Sequence, residues 1–271
     1  MLENEVALDT GSLRTEISGV NIELWSGGEG RPVLFLHPGD GFDPAAPFVA
    51  GLARRSRVIA PSHPGFGGSD LPTGFGTVDD LSYFYLDLMR SRGLEDTVLV
   101  GVSFGAWIAA EIAVKCSRRV AGVVLADTLG ARFSPPTTRE IADLFSIAPF
   151  DIPRLVYREP EKHRRNYAPM SDADLLRHAR NYESFGLFGW APTLHNPKLR
   201  QRLRLIDVPT LVLWGSDDRV VSPDHGRSWA AAIPGASFKL IADAGHYVHM
   251  DAPDQFVSAV GDFVDGIATS R

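Results

Sequence analysis

The chain has a single cysteine, Cys116, among 271 residues. One thiol allows no disulfide within the chain and no thiolate cluster for a structural metal, so the core must hold the fold. Basic charge is not in excess either. Lys and Arg number 27 against 33 Asp and Glu, a net charge of −6. That balance lacks the basic stripe a nucleic-acid backbone requires, and no nucleic-acid partner is expected. No run of about 18 apolar residues occurs, so no membrane span is expected. The opening residues Met1-Leu2-Glu3-Asn4-Glu5 carry acid where a secretion leader carries base. Repeats and low-complexity tracts are missing as well. These absences point to a cytoplasmic chain without a nucleic-acid or membrane partner; its oligomeric state is not legible in them.

What is present is core material. Apolar residues make up 44% of the chain and charged residues 22%, enough to exclude disorder as a description of the whole. Short runs rich in Val, Ile and Leu stand at Pro32–His37, Arg57–Pro61, Thr97–Val102, Val120–Ala126, Thr210–Trp214 and Ser237–Ile241. Near-continuous apolar character of this kind predicts strands buried on both faces of a parallel sheet. Leu13–Ile17 and Val20–Trp25 alternate more loosely, with a turn at Ser18-Gly19, and predict an antiparallel edge ribbon. Between the runs, Pro44–Arg55, Val78–Ser91, Phe104–Lys115, Pro223–Ile233 and Pro253–Ile267 read as amphipathic helices. Alternating strands and helices make this an α/β protein with an open, mostly parallel sheet covered on both sides. Function in such sheets gathers at the carboxyl ends of the strands.

One interval breaks the alternation. Gly130–Leu205 contains no strand candidate, only helical stretches divided by prolines, among them Pro135-Pro136, Pro153 and Pro192. A structureless loop of that length is implausible in a compact domain, so a helical insertion forming a cap is expected. It is rich in large side chains, including Phe145, Phe150, Tyr157, Tyr167, Phe185 and Trp190. Most should pack the cap onto the core, and a few should line an apolar pocket between the two.

The chemistry begins at Gly101-Val102-Ser103-Phe104-Gly105, a G-x-S-x-G pattern at the end of an apolar strand and the start of a helix. The pattern alone is weak, and the strand-turn-helix context is what gives it meaning. A serine at that turn is exposed at a helix N-terminus, where developing negative charge is favoured. Its hydroxyl still needs a base and a group to orient that base. Gly215-Ser216-Asp217-Asp218-Arg219 places carboxylates after one later strand, and Ala244-Gly245-His246-Tyr247 places an imidazole after the next. Either Asp217 or Asp218 could be the orienting acid, and Asp127 at the end of an earlier strand is a further candidate. His163, His178 and His195 fall in the interval expected to form the cap and are expected to be structural. His246-x-x-His249 lacks the Glu of a zinc motif and a third ligand, so no metal is expected. No intact nucleotide-binding glycine motif occurs.

The chain resembles the α/β-hydrolase superfamily over nearly its whole length. The resemblance rests on Phe35-Leu36-His37-Pro38-Gly39, Pro61-Ser62-His63-Pro64-Gly65-Phe66-Gly67-Gly68-Ser69, the turn at Ser103, Leu213–Val221 and Ala244-Gly245-His246, all in order. It implies an eight-stranded sheet with a cap inserted after the sixth strand. The catalytic core would then be residues 1–129 and 206–271, and the cap residues 130–205. It also implies Ser103 as nucleophile, His246 as base and Asp218, just before Arg219-Val220-Val221, as the acid. One oxyanion donor should be the Phe104 N–H. Relatives usually read His-Gly at the other donor, where this chain has His37-Pro38-Gly39. Proline has no N–H, so the second donor is expected at Gly39, with Asp40 as the alternative. Trp107 is expected to restrict one side of the pocket.

The implied activity is hydrolysis of a small to medium carboxylic ester with an apolar or aromatic acyl group, through an acyl-enzyme and without a cofactor. A second implied activity is carbon–carbon bond hydrolysis of the meta-cleavage type. Such relatives commonly carry Asn before the nucleophile and Trp after the histidine, where this chain has Val102 and Tyr247. Arg177 or Arg180 could bind a substrate carboxylate in that case. A ligand receptor that has kept the fold and lost turnover is the non-enzymatic alternative.

Overall fold

Thr97–Val102 (β5) is Val- and Leu-rich and buried along its whole length. Each such side chain taken from water stabilises the fold by about 1.5–3 kcal/mol, and the strand sits in the middle of the sheet. The computed structural model describes residues 11–135 and 137–268; Met1–Glu5 and Pro136 lie outside them. The other strands are Gly11–Ile17 (β1), Val20–Gly27 (β2), Pro32–Leu36 (β3), Arg57–Pro61 (β4), Val120–Ala126 (β6), Thr210–Gly215 (β7) and Ser237–Ile241 (β8). They form one eight-stranded sheet in the order β1-β2-β4-β3-β5-β6-β7-β8. β1 pairs with β2 and β2 with β4 antiparallel; all remaining pairs are parallel. The edge ribbon turns at Ser18-Gly19, both at positive φ.

Alternate strand residues feed two cores. Leu34, Leu99, Val212 and Trp214 join one, with Leu81, Tyr85 and Leu88 of Val78–Ser91 (α2) and Trp229 of Pro223–Ala232 (α7). Val33, Val98, Val100 and Leu213 join the other, with Phe48 and Leu52 of Pro47–Ala53 (α1) and Phe256 and Val260 of Pro253–Gly266 (α9). Helix α2 starts on a capping box in which Thr77 and Asp80 satisfy each other's backbone N–H groups. Phe104–Ala113 (α3) is buried on every side, as a helix apolar all round must be.

Two expectations need adjustment. β8 is not buried on both faces, since Ser237, Lys239 and Leu240 are exposed. It is the last strand of the sheet with a single neighbour, and a short strand carrying Lys is a common way to end a sheet safely. The Pro44–Arg55 helix starts late, at Pro47, because Asp43 closes a turn with the N–H groups of Ala45 and Ala46.

Between β6 and β7 no strand occurs among the described residues, only the isolated bridges Gly130–His195 and Ile141–Val221. Pro153–Val156 (α4), Asp172–Gly189 (α5) and Leu199–Arg202 (α6) supply its α-helices. The stretch before α4 runs as turns and bends and is less helical than its sequence suggests. Among the described residues no helix is long and apolar enough to cross a membrane.

Candidate active site

Ser103 sits between β5 and α3 at φ 54°, ψ −114°, a left-handed conformation costing about 1–3 kcal/mol for a residue with a side chain. Neighbouring glycines make the turn possible. A Cβ at Gly101 would lie 2.4 Å from the Gly105 carbonyl oxygen, and one at Gly105 would lie 2.0 Å from that of Leu36. No other residue fits at either position. The Ser103 N–H donates to Ala126 O at 2.9 Å, which fixes the turn to the end of β6.

Three side chains from three strand ends meet here. Ser103 Oγ is 2.7 Å from His246 Nε2, and His246 Nδ1 is 2.9 Å from Asp218 Oδ2. The other Asp218 oxygen accepts the Val220 and Val221 N–H groups at 2.8 and 3.0 Å. That leaves the carboxylate one free direction, toward the imidazole. Ser103 and His246 are buried, at 2% and 0% exposure. Asp217 points elsewhere: it accepts from Ser216 Oγ, lies near Arg158, and is 40% exposed at its side chain.

His37 and His63 build the underside of the loop after β3. Their rings stack at 3.6 Å. Tyr85 Oη donates to His63 Nδ1, whose Nε2–H donates to His37 O at 2.9 Å. The His63 backbone N–H donates to His37 Nε2 at 3.0 Å, and His37 Nδ1–H donates to Pro38 O at 2.7 Å. Each bond uses a neutral imidazole, and burial lowers the His37 pKa to about 4 and holds that of His63 well below the ordinary histidine value. Pro38 O then accepts the Gly41 N–H at 3.1 Å, closing a tight turn with Gly39 and Asp40 at its centre. No acceptor stands opposite the Gly39 N–H among the described residues. Sequence reasoning did not single out this histidine pair as support for the loop; two histidines after adjacent strand ends were the available signal.

A cavity of about 500 Å³ reaches from this turn to the segment between β6 and β7, lined among others by Gly39, Asp40, Leu144, Tyr157, Phe185 and Tyr247. Phe185 of α5 stands over Gly39 in this lining, to which Ser103, Phe104 and His246 do not belong. A Cβ at Gly39 would lie 2.7 Å from the Phe185 ring, whose centroid is 5.3 Å from that of Phe104. Trp107, expected in the wall, is not part of this lining. It is buried beside Phe104, so close to Gly130 that a Cβ there would be 2.3 Å from the indole, and its Nε1 donates to Glu111. The arginines expected to face a substrate carboxylate are held elsewhere: Arg177 pairs with Glu23, and Arg180 donates to Ser69 O. Two arginines line the cavity: Arg165, whose Nη2 donates to Asp40 at 2.9 Å, and Arg164, whose Nη1 is 3.6 Å from Glu161.

A sequence model of the alpha/beta hydrolase family matches residues 33–259. The chain belongs to the alpha/beta hydrolase family. The chain is 28% identical over 254 residues to the dihydrolipoyllysine-residue acetyltransferase component of the acetoin cleaving system of Cupriavidus necator, covering 89% of this chain and 66% of that protein. It thus spans just under two thirds of that relative's length. It is 26% identical over 260 residues to the 2-hydroxymuconate semialdehyde hydrolase of Pseudomonas putida, covering 91% and 92% of the two chains. It is 29% identical over 278 residues to the 2-hydroxy-6-oxo-6-phenylhexa-2,4-dienoate hydrolase of Burkholderia cepacia, covering 92% of each chain. Among solved structures, a thermophilic esterase from Thermogutta terrifontis is 25% identical with a TM-score of 0.73, covering 96% of the hydrolase and all of the esterase chain.

His249 lies three residues after His246 and has no role in the hydrogen-bonded set. It packs against Phe48 and Phe256, its Nδ1 has no partner, and burial lowers its pKa to about 3. Among the described residues no group of three or more His, Cys, Asp or Glu could hold a metal. A histidine whose folded pKa lies below its unfolded value of about 6.5 takes up a proton on unfolding between the two values, so its contribution to stability falls as pH drops through that window. His249→Phe is expected to gain on the native protein by about 1.4 kcal/mol per pH unit as pH falls from 6.5 toward 4. Urea unfolding at pH 7, 5.5 and 4.5 measures it. A constant difference across that range contradicts the assignment.

Proposed function

We propose that the protein is a serine hydrolase that cleaves carboxylic esters of small to medium acyl groups through an acyl-enzyme. The observation that carries this reading is the continuous hydrogen-bonded path from Ser103 Oγ through His246 to Asp218. His246 Nε2 takes the Ser103 proton as Oγ attacks the ester carbonyl, and Asp218 holds the resulting imidazolium. The negative oxygen of the tetrahedral adduct sits between the N–H groups of Phe104 and Gly39. Phe104 is the first residue of α3 and has no intrahelical acceptor for its N–H. The Gly39 N–H has no acceptor among the described residues and is available as its partner. Each donor of this kind lowers the barrier by about 3 kcal/mol. The imidazolium returns its proton to the departing alcohol, and the same base then activates water to release the acid. In this reading residues 130–205 act as a cap over a core of 1–129 and 206–271, and the apolar side chains Leu144, Ile152, Val156 and Phe185 receive the acyl group.

A second reading, hydrolysis of a carbon–carbon bond in a dienoate, is favoured by the names of the relatives. Against it stand Val102 and Tyr247 at the two flanking positions, and the pairing of Arg177, Arg180 and Arg165 with groups of the protein itself. Assaying a p-nitrophenyl ester series beside a ring-fission dienoate separates the two. Ester kcat/KM at least 100-fold above that for the dienoate is the expected result; the reverse order overturns the ester reading.

A further inference from the structure

Asp127 follows β6 at φ 46°, fully buried, one residue beyond the point where the Ser103 N–H is anchored. Its backbone N–H donates to Leu213 O at 3.0 Å, and its Oδ1 accepts the Gly215 N–H at 2.7 Å. The Val248 N–H is near the same carboxyl without a hydrogen bond to it, and the other oxygen, Oδ2, is buried with no hydrogen-bond partner among the described residues. Gly215 is three residues before Asp218, and Val248 is two residues after His246. The two loops touch at this point: a Cβ at Gly215 would be 2.2 Å from Gly245 O, and the Asp217 N–H donates to Ala244 O at 2.8 Å.

We propose that Asp127 is a positioning residue for the reaction, its carboxyl group holding the acid-bearing and base-bearing loops at the spacing that brings Asp218 to His246. The inference rests on the triad reading above. Two carboxylates face Asp127, Asp218 from the loop after β7 and Asp251 from Val248–Asp251 (α8). Burial and those charges raise its pKa well above the usual carboxylate range. Oδ1 accepts the Gly215 N–H, and a carboxamide oxygen in the same place would accept it equally. A carboxyl and a carboxamide have the same shape and one accepting oxygen in common, whereas Asp218 accepts on both of its oxygens, from two backbone N–H groups and from His246.

The test compares Asp127→Asn with Asp127→Ala in ester turnover from pH 5 to 9, with the melting temperature recorded for each. Asp127→Asn is expected to keep kcat within about 3-fold and leave the acid limb of the kcat/KM profile in place. Asp127→Ala is expected to lower kcat by 10- to 100-fold with KM within about 2-fold, and to move the acid limb to lower pH. Should Asp127→Ala fail to fold, the Asp127→Asn values decide. A kcat loss in Asp127→Asn beyond 100-fold means that the ionised carboxylate is needed and overturns the proposal. Native kcat and pH profile in a folded Asp127→Ala overturn it as well. Ester turnover surviving in Ser103→Ala is a different outcome, which removes the triad reading itself.

Discussion

Ser103→Ala is expected to lower kcat for ester hydrolysis by about 10⁶-fold, the loss typical of removing such a nucleophile. The size follows from the geometry. Among the described residues the one hydrogen-bond partner of Ser103 Oγ is His246 Nε2, so without that oxygen the base has no attacking hydroxyl to deprotonate. The two proposed oxyanion donors are backbone groups and stay in place, so a residual rate above that in water should persist. Alanine shares serine's backbone preferences, and the strained turn is held by Gly101, Gly105 and the bond to Ala126 O. The melting temperature should therefore change little. Turnover and thermal unfolding on the same preparation check both halves of this expectation.

Asp218→Asn should cost about 10⁴-fold in kcat, for a reason of tautomers and not of charge alone. Asparagine can keep the bonds from the Val220 and Val221 N–H groups on its carbonyl oxygen. Its amide nitrogen then faces His246 Nδ1 as a donor, where Asp218 accepts. The imidazole answers by placing its proton on Nε2, toward Ser103, and ceases to be a base at neutral pH. Asp217→Asn, at a half-exposed position turned toward Ser216, should stay within about 2-fold of the native rate. A steady-state series of the two variants distinguishes the neighbouring carboxylates directly.

Much of the fold was legible because its signals are local. β5 is an uninterrupted apolar run, and α2 announces its start with Thr77 and Asp80. Ser103, Asp218 and His246 were readable for a related reason: each stands directly after a strand, and parallel strands bring their carboxyl ends to one edge. Properties set by tertiary context were not legible. β8 has the composition of a core strand, yet its place at the end of the sheet exposes it. Arg165, Arg177 and Arg180 are alike in sequence, and which one enters the cavity depends on where Glu23, Ser69 and Asp40 come to lie. Trp107 follows the nucleophile by four residues, but the turn of α3 carries it toward Gly130 and away from the cavity. Phe185 over Gly39 is a contact between residues far apart in the chain, with no local signal at all.

The claim on which the rest depends is that Ser103 Oγ becomes covalently bonded during turnover. Incubation with a fluorophosphonate, followed by intact mass and peptide mapping, tests it most directly. One adduct per chain, located on Ser103, formed in parallel with loss of esterase activity and absent from Ser103→Ala, is the expected result. An active protein that stays unlabelled, or an inactivating adduct on any other residue, contradicts it.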